Sequence, residues 1–407
     1  MSILYRVLLC FFVAALFSAC SGEDYGRLQS RLEDNKAKWE THSPNEYTFS
    51  FSVSCLCQTP RRSILVEGDS VVSAYNEEEK VLESADTLEN RLTIDDLFDA
   101  VQKVIDRNPS ALHVEFNEEF GYPIVISVDY SADVVDDEFA YHVRDFRTGP
   151  HVGVQYYLDI ASATWELEYY SDYTFNYSLD CLCVPDLQNI DVVIEEGEVV
   201  SATDMNSLSL PTDDLLSIPT VNELFIYIQE WIDTEADQLD VTFDQNTGFP
   251  LQVQVTADST MSDGTLNHVL THFSPDMLIS NQNKRSANQQ IWLGKSDGTY
   301  DYSIEMEVNG EFRRYRVSVV NDVAVSGYYY NDNGKIDIDP NVELPYPTIE
   351  DYFQLVQNSV DTNADIVWVN YNEIAGYPES IVIDPDEEEE GDELEYQILS
   401  LYGYVYN

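Results

Sequence analysis

The chain repeats one pattern three times, in register. Trp39 stands eight residues before Tyr47, Trp165 eight before Tyr173, and Trp292 eight before Tyr300. Each copy then carries a phenylalanine (Phe98, Phe225, Phe353), and 23 residues after it a glycine opens Gly121-Tyr122-Pro123, Gly248-Phe249-Pro250 or Gly376-Tyr377-Pro378. Spacing this rigid, with a period of about 127 residues, means tandem copies of one domain. A unit of that length is large enough to bury a core of its own.

Within a copy, Leu28, Leu32 and Trp39 mark a short amphipathic helix. The following strand places Tyr47, Phe49, Phe51 and Val53 on one face and Thr48, Ser50 and Ser52 on the other. Tyr173, Phe175, Tyr177 and Leu179 repeat the alternation, as do Tyr300, Tyr302, Ile304 and Met306. Period-two patterning describes a half-buried strand, so the expected sheet is antiparallel and covered on one side only. Two strands follow in each copy, at 63–67 and 71–75, 191–195 and 199–203, 315–320 and 323–328. They are joined by Gly68-Asp69, Glu196-Gly197 and Asn321-Asp322, pairs that tolerate positive φ and read as hairpin turns.

An acidic loop (76–92 in the first copy) leads to a second helix beginning at Thr93, Thr220 or Thr348. Thr220 with Glu223 three residues on forms a capping box, and Thr93 with Asp96 and Thr348 with Asp351 are close variants of it. Ile94, Leu97, Phe98, Val101 and Ile105 form the apolar stripe that would lie on the sheet. After Gly-aromatic-Pro, whose proline suits a strand entrance, each copy closes with two more strands. The fold class expected is α+β: three tandem domains, each an antiparallel β-sheet with a helix packed on one face.

Residues 1–19 combine Arg6, an apolar run from Val7 to Phe17 and small residues at Ser18 and Ala19, an export signal too short to span a membrane. Leu16-Phe17-Ser18-Ala19-Cys20 resembles the lipobox of bacterial lipoproteins, which implies cleavage before Cys20 and its acylation. Two or more acyl chains, at about 0.8 kcal/mol per buried methylene, anchor a protein firmly. The partner this implies is the lipid bilayer, reached through acylated Cys20. Ser21, where a retained enterobacterial lipoprotein has aspartate, implies the outer membrane of the cell envelope. The expected organisation is a signal peptide at 1–19, a lipidated tether at 20–27, and repeat domains at 28–150, 151–280 and 281–407.

Trp39, Tyr47-Thr48-Phe49, Cys55-Leu56-Cys57, Val71-Val72-Ser73, Ile94-Asp95-Asp96-Leu97-Phe98 and Gly121-Tyr122-Pro123 together resemble a bacterial exported-lipoprotein domain family of unknown function. The resemblance implies fold and envelope location and carries no activity.

Acids outnumber bases 75 to 20, a formal charge of -55. Phosphate backbones would be repelled, which argues against nucleic acid as a partner. The blandest source of the charge is a solvated acidic surface. Cys55 and Cys57, with Cys181 and Cys183, are the thiols left in the mature chain, in an oxidising compartment. The third copy has Val308-Asn309-Gly310 at that offset, so the pair comes and goes as a unit. Bridges within each motif, bridges between copies, metal ligation and thiol redox chemistry all fit four cysteines, and a bridge within a motif requires the strand to bend. His268 and His272 would share one strand face and offer two metal ligands. No His-Glu-x-x-His, Gly-x-Ser-x-Gly or phosphate-binding glycine loop occurs. Acidic loops at 133–137 and 384–393, and the segment 331–337, are the places where calcium would be sought, although the register at 331–337 suits an Asn-Gly turn better. Tyr328 to Tyr330 and Tyr402, Tyr404 and Tyr406 belong either to the core or to a surface that grips a sugar or a protein.

The expected function is a membrane-anchored binding or scaffolding module, not an enzyme and without a cofactor, whose partner is an envelope protein or polysaccharide. A thiol-disulfide protein and a calcium-dependent adhesion protein are the alternatives.

Overall fold

The computed structural model describes residues 25–55, 59–134, 137–180, 187–206, 208–257, 265–308, 311–331, 334–338, 347–386 and 393–403. The first repeat runs α1 (Tyr25–His42), β1 (Glu46–Ser54), β2 (Arg62–Glu67), β3 (Ser70–Asn76), β4 (Val81–Leu82), α2 (Ala85–Leu88), α3 (Ile94–Arg107), β5 (Ala111–Phe116), β6 (Pro123–Asp129) and β7 (Glu138–Thr148). The second continues with α4 (Val152–Glu168), β8 (Tyr173–Asp180), β9 (Ile190–Glu195), β10 (Glu198–Thr203), α5 (Thr212–Leu215), α6 (Val221–Asp233), β11 (Gln238–Phe243), β12 (Pro250–Thr256) and β13 (Thr265–Pro275). The third has α7 (Met277–Lys295), β14 (Tyr300–Val308), β15 (Glu311–Val320), β16 (Val323–Asn331), β17 (Gly334–Ile338), α8 (Ile349–Asp361), β18 (Ile366–Tyr371), β19 (Pro378–Asp384) and β20 (Leu394–Tyr402).

Each repeat builds one sheet: β4-β3-β2-β1-β7-β6-β5, β10-β9-β8-β13-β12-β11, and β17-β16-β15-β14-β20-β19-β18. The first strand after the opening helix lies inside its sheet, flanked by its hairpin neighbour and by the last strand of the repeat, as the ladders of β1 with β2 and β7 show. These are three tandem α+β domains. By contact density the chain forms two compact units, one built on the first repeat with parts of the second, the other on the remainder of the second with the third.

The framework residues do the same work in each copy. Trp39 meets Tyr47 edge-to-face at 5.4 Å, Trp165 meets Tyr173 at 5.3 Å, and Trp292 meets Tyr300 at 5.1 Å. Such pairs contribute about 0.5–1.5 kcal/mol beyond the area they bury. The tyrosine hydroxyls reach past the core to the second helix. Tyr47 accepts the amide of Ile94 at 3.3 Å, Tyr173 that of Val221 at 3.3 Å, and Tyr300 that of Ile349 at 2.8 Å. These are orphan donors of a helix N-terminus, satisfied from a strand. The capping boxes form as expected: Asp96 and Asp351 accept from the amides of Thr93 and Thr348 at 2.9 and 2.7 Å, and Glu223 from that of Thr220 at 2.8 Å.

The Gly-aromatic-Pro corner is set by helix contact as well as by turn geometry. Gly121, Gly248 and Gly376 have φ of +86°, +74° and +75°. A Cβ there would lie 2.6, 2.1 and 2.3 Å from the carbonyl oxygens of Asn35, Ala161 and Asn288 on the opening helices. Pro123, Pro250 and Pro378 each begin a strand.

Three expectations are corrected. The loop at 76–92 contains β4 and α2, because β3 continues into an antiparallel bridge at Tyr75 and Leu82. Where β1, β2 and β3 lie together the first sheet is covered on both faces, whereas the outward residues of β5 stay exposed. Ile64 and Val66 face the main core while Leu65, pointing the other way, is also fully buried. It packs with Tyr75 and Tyr156, and Tyr157 and Ile160 lie against the same cluster. Thr48 and Ser50, expected on an open face, are buried with it. Finally, the ladder between β8 and β13 slips between Thr271 and Ser274, with His272 at φ +56°. That bulge breaks the alternation that would place His268 and His272 on one face.

Candidate functional site

Of the cysteines singled out by sequence, Cys55 lies within the described residues, immediately after β1 ends at Ser54, in a bend. It is disulfide-bonded. Its sulfur also lies 3.9 Å from the Thr59 hydroxyl. Cys20, Cys57, Cys181 and Cys183 lie outside the described residues.

The two histidines serve different surroundings. His268 is buried, its Nδ1 2.9 Å from the Tyr177 hydroxyl, and burial lowers its pKa to about 4. His272 is exposed beside Thr271, 3.0 Å from its hydroxyl. Among the described residues, no group of three or more His, Cys, Asp or Glu is arranged to hold a metal ion. The segment considered for calcium closes a hairpin in which Asn331 pairs with Gly334; Asp332 and Asn333 lie outside the described residues, as do 135–136 and 387–392 of the acidic loops.

The tyrosines of the third sheet divide by strand phase. Tyr329 turns inward to Tyr315 at 5.5 Å, whereas Tyr330 is exposed. Lys335 lies over the Tyr328 ring at 4.2 Å, and Arg316 over the exposed Tyr402 at 5.4 Å. Tyr404 and Tyr406 lie outside the described residues.

A concavity lies elsewhere, at the end of the second sheet. Tyr173 pairs with Ile194 on one side and Pro275 on the other, and Thr174 pairs with Val193 and Ser274, so three strands end together. Directly after Pro275 the chain enters α7, where the Asp276 carboxylate caps the helix by accepting the amides of Leu278 and Ile279, both at 3.1 Å. The helix start is held from two sides. The Asp276 amide donates to the Asp172 carbonyl at 2.8 Å, Ser280 bonds to the Glu168 carbonyl, and Lys284 pairs with the Glu168 carboxylate at 3.0 Å. The buried Asn281 amide donates to the Val367 carbonyl of β18 at 2.7 Å.

Between these elements lies a cleft of about 780 Å³. Val193, Pro275, Met277, Ile366 and Trp368 supply apolar lining, and Asp172, Glu195, Asp276 and Asp365 supply carboxylates. Trp368 is 54% exposed and Met277 46%, unusual for side chains of this size on a framed surface. The first sheet shows the corresponding place closed. Leu65, which pairs with Thr48 as Val193 pairs with Thr174, is buried under Tyr156. The Tyr156 hydroxyl lies 3.1 Å from the Ser63 carbonyl and 3.3 Å from the Ser73 hydroxyl. Tyr156 precedes Trp165 by nine residues; nine before Trp292 stands Asn283, a shorter polar residue, hydrogen-bonded to Ser171 at 2.9 Å. The second sheet lacks the aromatic plug.

Sequence reading missed this cleft, though one signal was present. In Ile366–Tyr371 the buried phase belongs to Val367, Val369 and Tyr371, which puts Trp368 on the outer face. A tryptophan in the exposed phase of an alternating strand marks a surface worth examining.

The fold defines a class: proteins built of tandem α+β repeats, each with one antiparallel sheet. The chain belongs to a family of unknown function, DUF6174, whose pattern it matches three times, at residues 31–148, 157–275 and 284–402. No curated protein matches it.

Proposed function

We propose that this protein is a cell-envelope lipoprotein, tethered through acylated Cys20, whose repeats present a non-enzymatic binding surface to a partner in the envelope. The observation that carries the binding reading is the preformed cleft at the end of the second sheet. Its walls are fixed by backbone and side-chain hydrogen bonds, its apolar side chains are left exposed, and its lining includes no histidine, cysteine or lysine among the described residues. Recesses of this size with convergent polar groups are the usual seats of ligands. The anchor rests on the export signal and on Leu16-Phe17-Ser18-Ala19-Cys20. Among the described residues no helix is long and apolar enough to cross a membrane, so attachment in this reading falls to the acyl chains. The disulfide at Cys55 supports a structural role for that cysteine over a reactive one.

The test has two arms. Metabolic labelling with a fatty-acid probe should mark the wild-type chain and fail on Cys20→Ala. Cross-linking in intact envelopes should capture a partner with the wild type and lose it with Trp368→Ala. Turnover of a defined substrate, abolished by one point substitution, would overturn the non-enzymatic reading.

A further inference from the structure

The cleft also indicates what it would hold, an inference that rests on the binding reading above. We propose that its occupant is a basic polypeptide segment in which lysine or arginine alternates with apolar side chains. Three observations converge. Glu195, Asp276 and Asp365 are exposed at the recess and Asp172 is half-buried there, so the cleft is acidic on several sides while its lining includes no cationic side chain. Trp368 offers an indole face at the same place, the ring that best receives an ammonium or guanidinium group. Met277, Ile366 and Val193 lie around it, suited to the methylene stems of lysine and arginine and to an apolar neighbour in the segment. A lining of aliphatic and aromatic side chains together with exposed carboxylates is the complement of such a segment; an acidic segment would meet only like charge. The charge of -55 over the whole chain acts in the same sense, drawing cationic partners in and raising their rate of encounter.

The test uses the full chain and fluorescently labelled peptides of alternating lysine and leucine, with glutamate-leucine and glutamine-leucine peptides of equal length as comparisons, at physiological ionic strength. The lysine peptide should bind, and the others should bind at least about tenfold more weakly. Trp368→Ala, and separately the pair Glu195→Gln with Asp365→Asn, should each weaken lysine-peptide binding by roughly tenfold. Trp368→Phe should retain most of it, which separates loss of the ring from loss of the fold. Glu118→Gln with Glu119→Gln, exposed acids of the first repeat, should leave it unchanged. Equal binding by wild type and all variants would mean diffuse attraction to a polyanion and would overturn the proposal. So would absence of lysine-peptide binding, or equal binding of the glutamine peptide that Trp368→Ala abolishes. In those last two cases, capture of an envelope partner that still depends on Trp368 would keep the binding reading and discard only the basic occupant.

Discussion

The hydroxyls of Tyr47, Tyr173 and Tyr300 accept from the first turn of a helix about 47–49 residues further along the chain. This explains why tyrosine and not phenylalanine stands at that point in all three copies. Tyr300→Phe would keep the ring against Trp292 and strand the Ile349 amide without its acceptor. An unmet buried donor costs roughly 1–3 kcal/mol. The expected result is a lower melting temperature and faster hydrogen exchange at Ile349, and unchanged exchange there would refute the role. His268 makes a second residue-scale case. Its folded pKa, held by burial at about 4, lies below the ordinary value of 6.5, so the native state favours the neutral ring. Between those values the unfolded chain binds a proton that the native chain does not, and stability must fall as pH drops through that window. His268→Asn has no such proton to gain. The stability advantage of wild type over this variant, read from thermal melts at about pH 7 and about pH 4.5, should shrink at the lower pH.

At the scale of elements, the corner glycines separate two costs that are easily confused. Gly68 and Gly376 both have positive φ, yet a Cβ at Gly68 meets nothing within 4 Å, whereas at Gly376 it would press on the Asn288 carbonyl and the Ile291 side chain. Gly68→Ala should cost about 1 kcal/mol of backbone strain. Gly376→Ala should cost more, because α7 must also move, and comparing the two melts measures the difference. The same contrast explains what was legible beforehand. Strand alternation, hairpin pairs such as Glu196-Gly197 and the Thr93 capping box are governed by residues a few positions apart, and the repeat states each of them three times. The partner of the Tyr300 hydroxyl, the bulge at His272 and the cover over Leu65 depend on what packs from far along the chain, which no local pattern encodes. The cleft falls in this second group. It goes with Asn283 standing where the preceding repeat has Tyr156, a difference that acquires meaning only once the strand ends are known to converge there.

For the whole molecule, the dominant quantity is the imbalance of 75 acids against 20 bases. The bases are used structurally in places: Arg62 and Arg91 both grip Glu83, at 2.6 and 2.5 Å, and hold its carboxyl below the ordinary range despite burial that opposes this. Most acids have no such partner available, simply by number. Their mutual repulsion destabilises the compact chain and is felt over about a Debye length, roughly 10 Å at 0.1 M salt and about 3 Å at 1 M. Raising sodium chloride from about 0.05 M to about 1 M should therefore raise the melting temperature progressively, with most of the gain at the low end where screening changes fastest. Diffuse repulsion and a dedicated calcium site separate in the same experiment. If repulsion alone is at work, calcium chloride and sodium chloride matched for ionic strength should give similar melting temperatures at the higher concentrations, where screening is nearly complete. A saturable rise at millimolar calcium that sodium does not reproduce would instead reveal convergent carboxylates, and would move calcium-dependent adhesion ahead of the peptide-binding reading.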